Sequence, residues 1–303
     1  MTVPAMNDPL AMQDTIRETV IDDQLRLLKM PGALRHYRDL TRQARAAGED
    51  VLTYLETVLS VELENRRQNQ IAQRLRDAHF PYPRDLDTFD FQATPSLDRK
   101  TILGLASCRF VLERESVILV GPSGTGKTHL GIALGRAAIS SGYRSRFTTA
   151  AILMNELLAA AADHTLARYL RAWARLDLVI VDEIGYVPFS QEGARLLFQF
   201  FSELSERRSI LVTTNLEFSR WVDVFGDPGM TAALLDRLAY RAHIVVTQGE
   251  SYRLRHAQAR QAAQGGGRRS PVTSQGDSAR AEMSEQPPAT EPLPSSGSPR
   301  EGD

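Results

Sequence analysis

The sequence predicts an α/β protein: a three-layer fold with a parallel sheet covered by helices on both faces, preceded by a small all-helical region and followed by a disordered tail. Three observations predict it. Short apolar runs of strand character alternate with segments of helical periodicity in the second half of the chain. The first of these runs ends in a glycine-rich loop that opens directly into a helix. Before them lie some sixty residues whose apolar positions recur only at helical spacing, and after them comes a stretch with almost no large apolar residue.

Taken in order, residues 1–15 are short and polar and are expected to be irregular. Residues 16–83 read as helices. Leu25, Leu28, Leu34, Tyr37 and Leu40 recur at spacings near three to four, and after Gly48 the stripe Leu52, Leu55, Val58, Leu59 and Leu63 repeats the signal. Pro81 and Pro83 cannot continue that helix. A linker, 84–98, carries Phe89 and Phe91, for which contact with an adenine and burial in the core are both open. The α/β region, 99–260, contains the expected strands Ser116–Val120, Ser145–Thr148, Leu178–Val181, Ile210–Thr213 and Ile244–Val246. Strands apolar on both faces belong to parallel sheets buried on both sides. From 261 to 303, Gly, Ser, Pro, Glu and Arg dominate; such a composition cannot bury enough surface to offset chain entropy.

Bulk properties narrow the class. The net charge is -1, so a nucleic-acid surface has to arise by local clustering rather than global basicity. The lone Cys108 cannot form an internal disulfide and reads as a small buried residue. No apolar run approaches bilayer-spanning length, and Met1–Gln13 lacks the layout of a signal peptide. A cytoplasmic protein without a membrane partner is expected.

The chemistry concentrates in two motifs. Gly121-Pro122-Ser123-Gly124-Thr125-Gly126-Lys127-Thr128 matches G-x-x-x-x-G-K-[ST] in full, between an apolar strand and the helix His129–Ser140. Glycines let backbone N–H groups turn inward on phosphate oxygens, and the helix N-terminus adds positive partial charge. Lys127 should reach the outer phosphates and the Thr128 hydroxyl should ligate Mg²⁺, so the expected ligands are ATP and Mg²⁺. The second motif is Asp182-Glu183 closing the strand Leu178–Val181. Asp182 is the expected metal residue and Glu183 the general base toward water. Asn215, after the strand Ile210–Thr213, either orients that water or simply forms a turn. Arg237, on a helix expected from near Thr231, reads locally as a surface arginine beside Asp236 or as a donor to a neighbouring subunit's nucleotide.

These segments, with Leu235–Leu238 and the run Gly249–Arg255, resemble the IstB-like ATPases, helper proteins for insertion-sequence transposases, similar in turn to the helicase loaders DnaC and DnaI within the AAA+ ATPases. The resemblance covers roughly Leu25 to Ala257. It implies an AAA+ sheet of strand order 5-1-4-3-2, Walker roles for Lys127, Thr128, Asp182 and Glu183, a sensor 1 role for Asn215, and a finger acting in trans for Arg237. Arg253 or Arg255 is the candidate second sensor, although no room remains for a full helical lid. The implied partners are duplex DNA, a transposase and further copies of the chain; the alternative is a replicative helicase in place of the transposase. For DNA, the candidates are Arg168, Arg171 and Arg175, spaced to share one helical face. Arg35, Arg38, Arg42 and Arg45 could serve DNA, transposase or a neighbouring subunit. Glu183 argues against a switch module that barely hydrolyses ATP, Glu183 with Asn215 against a small-molecule kinase, and the lack of an L-S-G-G-Q-type signature against a transport ATPase.

Overall fold

The computed structural model describes residues 9–186 and 189–265. The chain divides into two units, Met1–Ala259 and Arg260–Asp303; the second contributes only the end of one helix to the described residues. The disordered tail expected for 261–303 lies outside them from residue 266 onward.

Three helices come first: α1 (Pro9–Leu27), α2 (Pro31–Ala47) and α3 (Val51–Asp77). Helix α1 starts inside the segment expected to be irregular. Pro9 stands at its start, where a missing N–H costs nothing, and Met12, Ile16 and Val20 continue an i, i+4 pattern. Helix α2 begins at Pro31 without a cap of its own, because Met30 offers no acceptor. The buried carboxylate of Glu62 on α3 fills that role, accepting from Gly32 N–H at 2.7 Å and Ala33 N–H at 3.1 Å, while Arg66 donates to its other oxygen at 2.7 Å. Gly48, in the left-handed region at φ 67°, ends α2, and the Asp50 side chain caps α3 through the N–H groups of Leu52 and Thr53. Of the leucine-rich stripe on α3, only Val58 is buried; Leu52, Leu55, Leu59 and Leu63 remain exposed, because α3 lays its Val58–Glu62 flank on α2.

The α/β layer follows: α4 (Arg99–Ala106), α5 (Arg109–Leu112), β1 (Ser116–Val120), α6 (Lys127–Ser140), β2 (Ser145–Thr149), α7 (Ala150–Ala162), α8 (Leu166–Trp173), β3 (Leu178–Ile184), α9 (Gln191–Leu204), β4 (Ser209–Thr214), α10 (Val222–Phe225), α11 (Pro228–Ala239), β5 (Ala242–Val246) and α12 (Tyr252–Gly265). All strand pairs are parallel and the order is β2-β3-β4-β1-β5, the order implied by the AAA+ resemblance. Alternate strand residues feed opposite faces. Ile118, Val179, Val181, Ile210 and Val212 pack with Leu153, Leu157, Phe200 and Phe201 on one side. Val117, Leu119, Ile180 and Leu211 pack with Ile102, Leu130 and Leu134 on the other. Cys108 is buried as expected, and burial pushes its thiol pKa up.

One strand differs from expectation in a way that matters for the site. β3 does not stop at Val181 but runs to Ile184, so both acids lie within the strand rather than in the following loop. Its pairing with β4 shifts there: Val181 faces Val212 and Ile184 faces Thr214, leaving Asp182 and Glu183 together opposite the single residue Thr213. This is a β-bulge, and Glu183 takes the left-handed conformation at φ 62°. Among the described residues, no helix is long and apolar enough to cross a membrane.

Candidate active site

The strand order explains why distant motifs meet. The phosphate loop follows β1 and the acids end β3, with β4 between them, so all three strand ends open on the same edge of the sheet. The loop is held from both sides. Gly121 N–H donates to Thr214 O of β4 at 3.1 Å, and Thr247, just past β5, donates its N–H to Val120 O at 2.7 Å. The hydroxyls of Thr125 and Thr247, both buried, meet at 2.7 Å. At Gly124 the loop carbonyl accepts from Tyr252 N–H at 3.0 Å, which ties it to the start of α12. Gly126 has φ 92°, and a Cβ there would lie 2.7 Å from the Phe89 ring. Phe89 is buried between Gly126, Phe91 and His129 and so forms the wall behind the loop rather than an open platform. The linker is pinned to α6 by Arg136–Asp85 at 2.6 Å and by His129 Nε2 near Asp85 O at 3.0 Å.

Lys127 donates to Gly121 O and Pro122 O, each at 2.7 Å. Its ammonium has three protons, so one remains for a phosphate oxygen. Burial lowers its pKa, against the raising influence of Asp182. Thr128 Oγ1 donates to Asp182, lying 2.9 Å from Oδ2 and 3.1 Å from Oδ1. Asp182 is buried, and burial raises its pKa despite hydrogen bonds from Thr213 and Thr128 and the charges of Lys127 and Arg253. In both groups desolvation outweighs mutual attraction. A hydroxyl and a carboxylate side by side form the hard-oxygen pair that Mg²⁺ takes alongside phosphate oxygens and water. Among the described residues, no group of three or more His, Cys, Asp or Glu side chains is placed to hold a metal ion.

Thr128 and Asp182 line a cavity of about 450 Å³ whose wall also includes Glu183, Thr149, Arg146 and Arg253; Lys127 is not on that wall. Adjacent strand residues normally face opposite sides of a sheet. The bulge removes that constraint, which is how two consecutive acids come to share one wall. Arg253 reaches this wall, whereas Arg255 donates to Ala93 O at 2.9 Å and braces the linker, so the structure distinguishes the two second-sensor candidates. Only one helix, α12, follows β5 among the described residues.

Two expected site residues stand apart. Asn215 is exposed in the bend after β4 and is not on the cavity wall; the residue of β4 that touches the acids is Thr213. Arg237 is exposed on α11, with its guanidinium over the Phe198 ring at 5.2 Å and donating to Ala233 O at 3.1 Å; it does not enter the cavity of its own chain. The sequence assigned no role in this site to Thr213, Thr247 or Arg146, although Thr213 closes one of the expected strands. Each is an ordinary polar residue at a strand end or within a strand, with a role set by its neighbours. The N-terminal arginines are engaged locally: Arg38 with Glu18 and Asp22 at 2.9 Å each, Arg45 with Asp14 at 3.7 Å, Arg42 with Asp39, and Arg35 with Asn65. Arg168, Arg171 and Arg175 are exposed on or just after α8 and make no ion pair among the described residues.

Comparison with known proteins accords with this geometry. Residues 23–260 match the family of IstB-like ATP binding proteins. An insertion sequence IS21 ATP-binding protein of Pseudomonas aeruginosa is 38% identical over 228 residues, covering 75% of this chain and 86% of that protein. An insertion sequence IS232 ATP-binding protein of Bacillus thuringiensis subsp. berliner is 35% identical over 229 residues, covering 72% and 92%. Among solved structures, DnaI aligns with TM-score 0.47 and 18% identity over 55% of this chain and 91% of its own. AMPPCP-bound DnaA from Aquifex aeolicus aligns with TM-score 0.48 and 16% identity over 61% and 56%.

Proposed function

Because this chain belongs to the IstB-like ATP-binding family, we propose that it is a Mg²⁺-dependent ATPase that assembles on duplex DNA and serves a partner transposase. The observation that carries the ATPase reading is the convergence of Thr128, Asp182 and Glu183 on one cavity, with Thr128 and Asp182 in direct hydrogen bond and Lys127, the residue before Thr128, bonded to the loop carbonyls. The loop N–H groups and Lys127 hold the phosphates of ATP, and Thr128 with Asp182 would hold Mg²⁺, which neutralises charge on the outer phosphates. Glu183, exposed on the cavity wall, takes a proton from the attacking water. Arg253 adds a positive charge toward the phosphates from the same chain. Arg237 faces away from its own site, which suits a donor to the nucleotide of a neighbouring copy. Asn215 remains a candidate for ordering water once a neighbour closes the site. The DNA reading draws support from the unpaired guanidinium groups of Arg168, Arg171 and Arg175. The partner reading draws support from the uncovered leucines of α3.

The test is nucleotide binding and turnover with and without duplex DNA. Lys127→Ala is expected to lose ATP binding. Glu183→Gln is expected to bind ATP and hydrolyse it about 10²–10⁴-fold more slowly. Wild-type turnover in Glu183→Gln would assign the base to another residue, and micromolar ATP affinity in Lys127→Ala would remove the phosphate-loop assignment.

A further inference from the structure

We infer that Thr213 is a positioning residue for hydrolysis, whose buried hydroxyl sets the backbone bulge that turns Asp182 and Glu183 toward the same cavity. The inference rests on the ATPase reading above but concerns a residue to which neither the motifs nor the family resemblance gives a role. The bulge places two residues of β3 opposite one residue of β4, and that one residue is Thr213. Inserting an extra residue breaks the ladder locally, so one backbone N–H loses its regular partner. The N–H of Glu183 is that group, and it donates to Thr213 Oγ1 at 2.9 Å. The same hydroxyl donates its proton to Asp182 Oδ1. One side chain therefore accepts from the backbone of the proposed base and donates to the carboxylate proposed for the metal. A hydroxyl can do both; neither an ionised carboxylate nor an ammonium could.

The environment makes the arrangement specific. Thr213 is 1% exposed and sits in the central strand between the phosphate-loop strand and the acid strand. Loss of the hydroxyl therefore removes the protein partner of the part-buried Glu183 N–H. Glu183 also holds φ 62°, a conformation that costs a non-glycine residue free energy and persists only where surroundings enforce it. Without the hydroxyl, the favourable course is for Glu183 to relax toward regular strand geometry. Regular alternation would then turn its carboxylate to the opposite face from Asp182. Thr213 does not have to touch nucleotide to act in this way, which separates it from Asn215, the expected contact to water.

The comparison that tests this is Thr213→Val against Thr213→Ser, since valine keeps the shape without the hydroxyl and serine keeps the hydroxyl without the methyl. Thr213→Val is expected to lose about 10–100-fold in kcat, as for other residues that orient metal ligands from behind. Its affinity for mant-ADP measured without Mg²⁺ should stay at the wild-type value. Amide hydrogen exchange across residues 180–185 should accelerate in the same variant, with or without nucleotide. Thr213→Ser should restore both turnover and protection. Should Thr213→Val fail to fold, Thr213→Ala against Thr213→Ser supplies the same comparison of hydroxyl present and absent. Wild-type turnover and exchange in Thr213→Val would overturn the inference, as would a Thr213→Ser variant as slow as Thr213→Val, which would assign the effect to packing. Exchange does not depend on what Glu183 does chemically. Altered exchange in Thr213→Val combined with wild-type turnover in Glu183→Gln would therefore reject the assignment of the base while leaving the bulge device intact.

Discussion

At the scale of single residues, burial decides what the phosphate loop can tolerate. Gly126 shows this well. Its φ of 92° already excludes most side chains, and the space where a Cβ would go is taken by the Phe89 ring at 2.7 Å. Gly126→Ala should therefore destabilise the folded protein by about 1–3 kcal/mol and distort the loop. Thermal melting together with ATP titration reads both effects; an unchanged melting temperature with unchanged ATP affinity would show that the loop relaxes freely. The motif already required small residues here. What the sequence did not disclose is that Phe89, a linker residue for which two roles were open, is the reason at this particular position. The identity of Thr213 as the partner of both acids was equally hidden. A threonine ending a β-branched strand is what strand propensity alone would place there, and only its register opposite the bulge distinguishes it.

At the scale of elements, two helices carry predictions. The start of α2 depends on a carboxylate borrowed from α3. Burial pushes the Glu62 carboxyl upward, but the Arg66 guanidinium and the N–H groups of Ala33 and Gly32 together outweigh it, and its pKa is held below the usual carboxylate value. A carboxyl depressed in the folded state contributes stability above its unfolded pKa and loses it as pH falls through the folded value. Acid should thus weaken the helical region below about pH 4.5. Glu62→Gln should be less stable at pH 7 and should lose less of its stability as pH falls from 7 to about 2, through the folded-state value, as followed by circular dichroism. Equal acid sensitivity in the variant would show that other carboxylates govern the transition. The second helix is α8, whose buried Leu170 and Trp173 seat it on the core while Arg168 and Arg171 point outward, with Arg175 just beyond. Replacing Arg168, Arg171 and Arg175 by alanine should weaken duplex binding similarly for all sequences. It should also flatten the slope of log affinity against log salt by about 0.9 for each lost phosphate contact. An unchanged slope would move the DNA surface elsewhere. Helical spacing placed these arginines on one face before any coordinates. It could not tell that Arg38 and Arg45 are engaged by acids of α1, because that depends on how α1 and α2 meet.

At the scale of the whole molecule, the proposal that Arg237 acts in trans requires a second copy of the chain, since Arg237 lies outside the cavity of its own. Arg237→Ala should bind ATP normally and lose DNA-stimulated turnover. A Lys127→Ala subunit, inactive alone, should restore activity on mixing by offering its intact Arg237 to the neighbour's nucleotide. Absence of activity in any mixing ratio would count against action in trans. The order of the strands was implied only by the family resemblance, whereas the nature of the phosphate loop and the presence of two acids were legible in the sequence because each follows from local rules: apolar runs make buried strands, and glycines beside a lysine at a helix start make an anion site. The family relation of residues 23–260 was legible for the same reason, since it is carried by contiguous motifs. Tertiary structure alone decided that β3 runs through its acids, that Thr213 faces the bulged pair, that Arg253 rather than Arg255 reaches the cavity, and that Glu62 caps a helix it does not belong to. The physical reason is common to all four. Hydrogen-bond partners and burial depend on which chain segments lie side by side, and residues far apart in sequence become neighbours only when strands pair and helices pack.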